Sequence, residues 1–553
     1  MQFLLALFLL LSPASANYSS FYASRTQATR KNKNISPASD TSSMTMDIPL
    51  SPTSQSSVSV RYWVNSSMLA PNSPVMLTMG GEGTANGVRC NEDMERHRAI
   101  CVQVEHRFYG ESLPPEGASD TQYFEGLNVD AGLLDHATIL SSVLASYPTA
   151  SGLKRPVVNF GGSYSGATAT WLRQSYPSLT DGAVASSGVV DAVLEFTGFD
   201  EAVAAALDPT CRAGLEAAQR TVDGKFEAGE GPAMKKYFNA TNLDGTVMGD
   251  EDFMYMLADG YSMIVQYGGK AELCDALEGR EDEEAVEGLR SALFNHFGDD
   301  FGQDCYYDSE CLKVVDGPAS GMMGRQNSRS WRFQKCTEVA YLQSRPQGGI
   351  RSSLLTLSAL ESQCKYVFGA TPDSGNALLN SARGGAAPDV TNVLSLSYSD
   401  DPWTAASTLT ALSPSQPYCA TVCDGCGHCG SGVGDKPEGD ECKAVQRAFV
   451  DEVVAQARFG GDYDDPNHPG AGRSFQVKVT GKSEGSAVEA SVEGFDVDEE
   501  GGRVPWGPLP AAIDLEGVVV DFSSKGGPKD LEGTWDADKG GIVWADGHVW
   551  TKL

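Results

Sequence analysis

Apolar positions change period several times along the chain. Residues 58–64 alternate apolar and polar groups, as a half-buried strand does, and the run 74–79 is short, apolar and closed by Gly80-Gly81-Glu82-Gly83. That pattern predicts a strand delivering a glycine-rich loop. A further apolar run, 99–104, leads into Glu105-His106-Arg107-Phe108-Tyr109-Gly110. Residues 127–147 carry Leu133, Ile139, Leu140, Val143 and Leu144 at helical spacing, 156–160 reads as a buried strand, and 167–176 as a helix. Strands alternating with helices imply a parallel sheet covered on both faces.

From about 196 to 370 the texture becomes helical and contains six cysteines, as expected of a cap inserted into the sheet. Strand patterns return at 392–396 and 418–422, and 443–457 reads as a closing helix. The predicted organisation is an α/β-hydrolase sheet in two parts, 51–195 and 371–460, separated by a helical cap at 196–370. Residues 471–553 alternate apolar and polar groups with many Gly and Asp, predicting a small β-rich tail. Within it, Asp546-Gly547 fits the two central residues of a type I′ hairpin turn. The tail is expected to pack against the rest, with Trp544 and Trp550 as an alternative binding face.

The first residues fit a signal peptide, 1–16, whose apolar run is too short to span a bilayer. Residues 17–50 are rich in Ser, Thr, Asn and Lys and read as a flexible leader. Sequons at Asn17, Asn34, Asn65 and Asn239 permit glycosylation along that route. The sequence predicts a secretory-pathway protein, secreted or lysosomal/vacuolar, with no membrane span.

The chain has 553 residues, 41% hydrophobic and 21% charged, enough for a large core and two to four domains at roughly 150 residues each. Its net charge of −32 repels phosphate backbones and argues against nucleic acid as a partner. The acidic stretches 278–287 and 496–500 read as solvated faces. Thirteen cysteines in an oxidising lumen point to disulfides, and the odd count leaves at least one outside intrachain pairs.

Strand, Gly161-Gly162-Ser163-Tyr164-Ser165-Gly166, then helix is the context of a nucleophile elbow, with Ser165 standing where glycine is usual. Serine needs a base to take its proton, and that base needs an acid to hold its tautomer. Among the histidines after Ser163, His428 lies on a small-residue loop following a late strand. Asp400-Asp401-Pro402-Trp403 follows another. Cys419, Cys423, Cys426, His428 and Cys429 also have spacings compatible with zinc, a rival that would occupy the base.

The segments 105–112, 161–166 with Trp171-Leu172-Arg173 and Tyr176-Pro177, Ala185-Ser186-Ser187, Cys336-Thr337-Glu338 and Asp401-Pro402-Trp403 occur in an order that resembles one family. It is the serine peptidase family of lysosomal Pro-X carboxypeptidase and dipeptidyl peptidase II, and the resemblance runs over about residues 55–455. It implies Ser163 as nucleophile, Asp401 as acid and His428 as base, with Asp400 a competitor. The family usually has two adjacent histidines where this chain has His428-Cys429. The oxyanion hole would use the N–H groups of Tyr164 and Gly81.

The resemblance also implies peptide substrates cleaved after proline, with Trp403 as one wall of the S1 pocket. Glu338 would touch substrate or pair with a cap arginine, and His106 and Arg107 would organise their loop by hydrogen bonding. Neither metal nor cofactor is expected, and a homodimer is compatible with the sequence. Carboxypeptidase, dipeptidyl peptidase and esterase chemistry share the triad, whereas an incompetent histidine loop would leave a binding protein.

Overall fold

The runs Val75–Thr78 (β3), Ile100–Val104 (β4), Val157–Gly162 (β5) and Gly182–Ser186 (β6) are buried at every residue, as central strands of a parallel sheet must be when helices cover both faces. In the computed structural model, which describes residues 42–51, 54–113, 124–240, 248–298, 301–302, 305–313, 319–482 and 487–553, they form the middle of an eight-stranded sheet. Its order is β1-β2-β4-β3-β5-β6-β7-β8, with β1 at Met44–Pro49, β2 at Ser57–Asn65, β7 at Val393–Tyr398 and β8 at Tyr418–Thr421. The pairs from β4 through β8 are parallel, whereas β1 and β2 run antiparallel at one edge. This is an α/β-hydrolase sheet. Helices α1 (Val129–Ser146) and α2 (Ser163–Ser175) connect its first half.

Between β6 and β7 the chain leaves the sheet and builds the helical cap. Two cap helices bear on the site: α3 (Asp250–Gln266), buried on nearly every residue, and α4 (Ala319–Gln334). The six cap cysteines pair among themselves as Cys211–Cys274, Cys305–Cys311 and Cys336–Cys364. After β8, helix α5 (Asp440–Phe459) returns along the sheet, and its last residues, Ala455 and Phe459, enter the core of the C-terminal module.

That module is a closed eight-stranded barrel among the described residues. It runs from β9 (Gly461–Asp464) to β16 (Val549–Lys552), with β16 pairing back onto β9. It starts about ten residues before the expected tail. Trp544 and Trp550 are only 3% and 6% exposed and lie inside it, so they are core rather than a binding face. The final hairpin also differs from expectation. Trp544 C=O accepts from Gly547 N–H, and of the loop residues Gly547 alone has positive φ, at 90°. A type I′ turn needs two such residues, so this loop is a type I turn followed by a left-handed glycine.

The expected leader ends in a strand. β1 pairs with β2 across Met44 to Pro49, and only Ile48 of its side chains is buried, so its sequence carries almost no apolar alternation. The expected signal peptide and residues 17–41 lie outside the described residues, as do Asn17 and Asn34. Asn65 is 8% exposed at the end of β2, which leaves no room for a glycan there. No helix among the described residues is long and apolar enough to cross a membrane.

Candidate active site

The elbow is built by steric necessity. A Cβ on Gly161 would come within 1.9 Å of the Ser165 carbonyl oxygen, and one on Gly166 within 2.9 Å of Gly188 Cα, so neither position accepts a side chain. Ser163 is held at φ 57°, a left-handed conformation that costs a non-glycine residue about 1–3 kcal/mol and marks an over-determined turn. Ser165 departs from the usual glycine because its hydroxyl has work to do. It donates to Gly162 C=O at 2.7 Å and accepts from Gly162 N–H at 3.2 Å, tying the first helical turn to the strand end.

Ser163, Asp401 and His428 follow the C-terminal ends of β5, β7 and β8, which lie near one another along the same parallel sheet. Asp401 Oδ1 accepts from His428 Nδ1 at 2.7 Å and from Trp403 N–H at 2.8 Å. His428 is completely buried, and its Nε2 has no hydrogen-bond partner. Burial opposes the charged imidazole, yet the Asp401 carboxylate and the Cys429 thiol beside it hold the His428 pKa well above the ordinary histidine value. Nδ1 is fixed as a donor to the acid, and Nε2 is the nitrogen left to accept once the ring has lost its second proton.

The loop that carries His428 is clamped from three sides. Cys423–Cys426 and Cys419–Cys442 are disulfides, so three of the four thiols of the rival zinc reading are covalently committed and Cys429 is left as the free, buried cysteine. Cys429 N–H donates to Ser187 Oγ at 2.9 Å, pinning the loop to the end of β6. Asp400 supplies the third clamp, accepting from Gly425 N–H at 2.6 Å and meeting Lys270 Nζ of the cap at 2.8 Å, while Lys270 also reaches Asp424 at 2.7 Å. Asp400 thus secures the loop, and Asp401 alone of the pair touches the imidazole.

Gly81 sits against the elbow, where a Cβ would lie 3.5 Å from Ser165 Cβ. At Gly80 a Cβ would collide with Val104 C=O at 2.4 Å. The glycine loop is thereby pressed beside the N-terminus of α2, next to Ser163 and Tyr164. His106 Nδ1 donates to Arg107 C=O at 2.8 Å, and its Nε2 accepts from Tyr164 Oη at 3.3 Å. Burial lowers its pKa to about 3, which keeps it neutral. Arg107 pairs with the equally buried Asp135. Both residues hold structure, as their position at a strand end suggested.

A pocket lined by Glu82, Ser163, Tyr164, Val189, Trp331 and Trp403, together with Asp259, Met263, Gln266, Tyr306, Lys335 and Gln343 of the cap, opens beside the elbow. Trp403 forms its aromatic wall, in ring contact with Phe196, Phe199 and Tyr341 at 5.2–5.5 Å, and its indole N–H donates to Gln266 Oε1 at 3.0 Å. Glu338 is placed differently from expectation. It does not line this pocket and, among the described residues, forms no ion pair with a cap arginine; its carboxylate accepts from Val129 N–H at 2.8 Å, at the start of α1, where a helix N-terminus favours negative charge. Two pocket groups, Glu82 and Lys335, carried no signal in the sequence, since nothing local distinguishes a pocket carboxylate or ammonium from a solvated one. Burial raises the Glu82 pKa to about 7.

Residues 49–448 match a protein-family model described as serine carboxypeptidase S28. The thymus-specific serine protease of Mus musculus is 30% identical over 411 residues, which cover 67% of this chain and 77% of that protein. The probable serine protease EDA2 of Arabidopsis thaliana is 28% identical over 389 residues, covering 67% and 75%. Lysosomal Pro-X carboxypeptidase of Mus musculus is 38% identical over a shorter stretch of 98 residues, 17% of this chain and 20% of that protein. The family match runs from the end of β1 into α5, spanning sheet, cap and all three residues of the candidate triad, and on that match the chain belongs to the serine carboxypeptidase S28 family of serine peptidases.

Proposed function

We propose that this peptidase hydrolyses short peptides after proline through a Ser163–His428–Asp401 triad. The observation that carries the reading is the 2.7 Å Asp401–His428 hydrogen bond beside a serine held at positive φ on a strand-to-helix turn. His428 Nε2 takes the proton of Ser163 Oγ as that oxygen attacks the scissile carbonyl. The tetrahedral oxyanion is received by Tyr164 N–H and Gly81 N–H. His428 then gives its proton to the departing amine, leaving an ester on Ser163 that water hydrolyses by the reverse proton path.

Proline fits the wall that Trp403 provides. The prolyl ring is compact and lacks an N–H, so an apolar aromatic pocket accepts it without leaving a donor unpaired. A secretory location, ending outside the cell or in a lysosome or vacuole, is supported by the leader pattern and by six disulfides.

A fluorophosphonate probe tests the nucleophile. Wild-type protein is expected to be labelled at Ser163, and Ser163→Ala to lose both labelling and peptidase activity while folding normally. Peptidase activity surviving in Ser163→Ala would refute the triad. Equal rates on matched peptides with Pro and Leu before the scissile bond would refute the proline preference alone.

A further inference from the structure

Lys335 lines the same pocket as Ser163, yet the structure gives its charge no partner. It is 1% exposed, and its Nζ donates to Gln343 Oε1 at 2.8 Å, Tyr255 Oη at 2.9 Å and Tyr306 Oη at 3.5 Å, all neutral oxygens. Among the described residues no carboxylate lies within ion-pair distance of it. Its charged neighbours deepen the imbalance. Arg332 is buried against the Tyr255 and Tyr306 rings, and both its Nη atoms lack hydrogen-bond partners. Arg351 is matched by Asp200 at 2.6 Å and by Asp259 at 3.8 Å, and Asp259 also accepts from Tyr307 Oη at 2.8 Å. Asp259 and Glu82 are the pocket's acids. Asp259 is thus already engaged by Arg351 and Tyr307, and burial favours the neutral form of Glu82 below about pH 7.

Burying an ammonium without a countercharge is costly, and a hydrophobic residue of similar length would pack as well for less. Burial, with Arg332 and Arg351 nearby, pushes the Lys335 pKa well below the ordinary lysine value, and a carboxylate entering the pocket would favour the ammonium again. Its backbone is anchored on both sides. Gln334 donates to Tyr164 Oη at 2.8 Å, and Cys336 is disulfide-bonded to Cys364. Lys335 is therefore held at a fixed place relative to the elbow, as specificity groups need to be.

We propose that Lys335 is a carboxylate receptor in the active-site pocket, pairing its ammonium with a carboxylate of the peptide substrate. The free C-terminus is the source that makes the enzyme an exopeptidase of the carboxypeptidase type. An acidic substrate side chain offers the same chemistry, and the test separates the two. The inference rests on Ser163 being the nucleophile that serves this pocket.

The test uses the full-length enzyme and three matched peptides with proline before the scissile bond: one ending in phenylalanine with a free carboxylate, its C-terminal amide, and an amide with glutamate in place of that phenylalanine. Wild type is expected to favour the free acid over its amide by at least about tenfold in kcat/KM, the scale of one charge-assisted contact. Lys335→Met should erase that preference by losing activity on the free acid alone, and Lys335→Arg should keep part of it. Selective loss on the glutamate amide would support the receptor and assign the side chain as its source. Wild type that prefers neither carboxylate-bearing peptide over the phenylalanine amide, or a preference that survives in Lys335→Met, would overturn the proposal. Fluorophosphonate labelling of each preparation keeps the two readings apart, since unlabelled wild type refutes the nucleophile and says nothing of Lys335. Should Lys335→Met be unlabelled through misfolding, Lys335→Gln, which retains hydrogen-bonding capacity toward Tyr255, replaces it in the same comparison.

Discussion

Asp400 and Asp401 are neighbours in the chain with opposite partners: Asp401 Oδ1 meets His428 Nδ1 at 2.7 Å, while Asp400 Oδ2 meets Lys270 Nζ at 2.8 Å. The Asp-Pro-Trp arrangement separates them, because Asp401 closes the turn by accepting Trp403 N–H as well. Asp401→Asn is expected to lower kcat about 10⁴-fold, since the amide leaves the imidazole in the wrong tautomer. Asp400→Asn and Lys270→Met should each cost far less, about tenfold, by loosening the His428 loop without removing a triad group. Kinetics on one proline peptide, with probe labelling to count intact sites, distinguishes these outcomes. Equal losses for Asp400→Asn and Asp401→Asn would show that the acid has been assigned to the wrong residue.

The His428 environment predicts the pH profile. A base whose pKa is raised stays protonated, and therefore inactive, to a higher pH than an ordinary histidine. The rate of fluorophosphonate labelling should rise with pH and reach half its plateau above the ordinary value of roughly 6.5. Two of the groups that raise it are Asp401 and Cys429, so Cys429→Ala should move the midpoint down without abolishing labelling. An unchanged midpoint in Cys429→Ala would mean that the thiol does not act on the imidazole.

What the sequence made legible follows from how local each cause is. Apolar runs such as Val75-Met76-Leu77 could hardly be other than buried strands, and the elbow is readable because Gly161 answers to a contact only four residues away, at Ser165. Glu82 and Lys335 were opaque for the opposite reason. A lysine between Gln334 and Cys336 becomes a pocket residue only when α3 and the 335–339 turn meet beside the elbow. β1 leaves no pattern because an edge strand with one buried side chain needs no alternation, and Asp546-Gly547 is ambiguous because that dipeptide serves two hairpin geometries. Barrel closure depends on β16 finding β9, some ninety residues away, and no local pattern encodes such a pairing.

The histidine loop should respond to reductant and not to chelator. Cys423–Cys426 and Cys419–Cys442 close short loops around His428, so reduction is expected to lower activity by freeing the base from its position. A zinc chelator under non-reducing conditions should leave activity unchanged. Inactivation by chelator, reversed by added zinc, would restore the metal reading of this cluster.

Glu82 links stability to pH in a direction opposite to that of a paired carboxylate. Burial raises its pKa from 4.5 to about 7, so between those values the folded chain holds a proton that the unfolded chain has released. Stability from this group is therefore fully present below about pH 4.5, declines as pH rises, and is lost above about pH 7. The linked free energy is about 3 kcal/mol, at roughly 1.4 kcal/mol per pKa unit. Glu82→Gln removes the titration while keeping a neutral polar group of the same size. Denaturant unfolding of both proteins from pH 4 to 8 should show wild type losing stability relative to Glu82→Gln across that interval, then running parallel to it. A constant difference across the range would show that Glu82 titrates in the folded protein as it does in the unfolded one, and that its carboxylate is solvated rather than buried in the pocket.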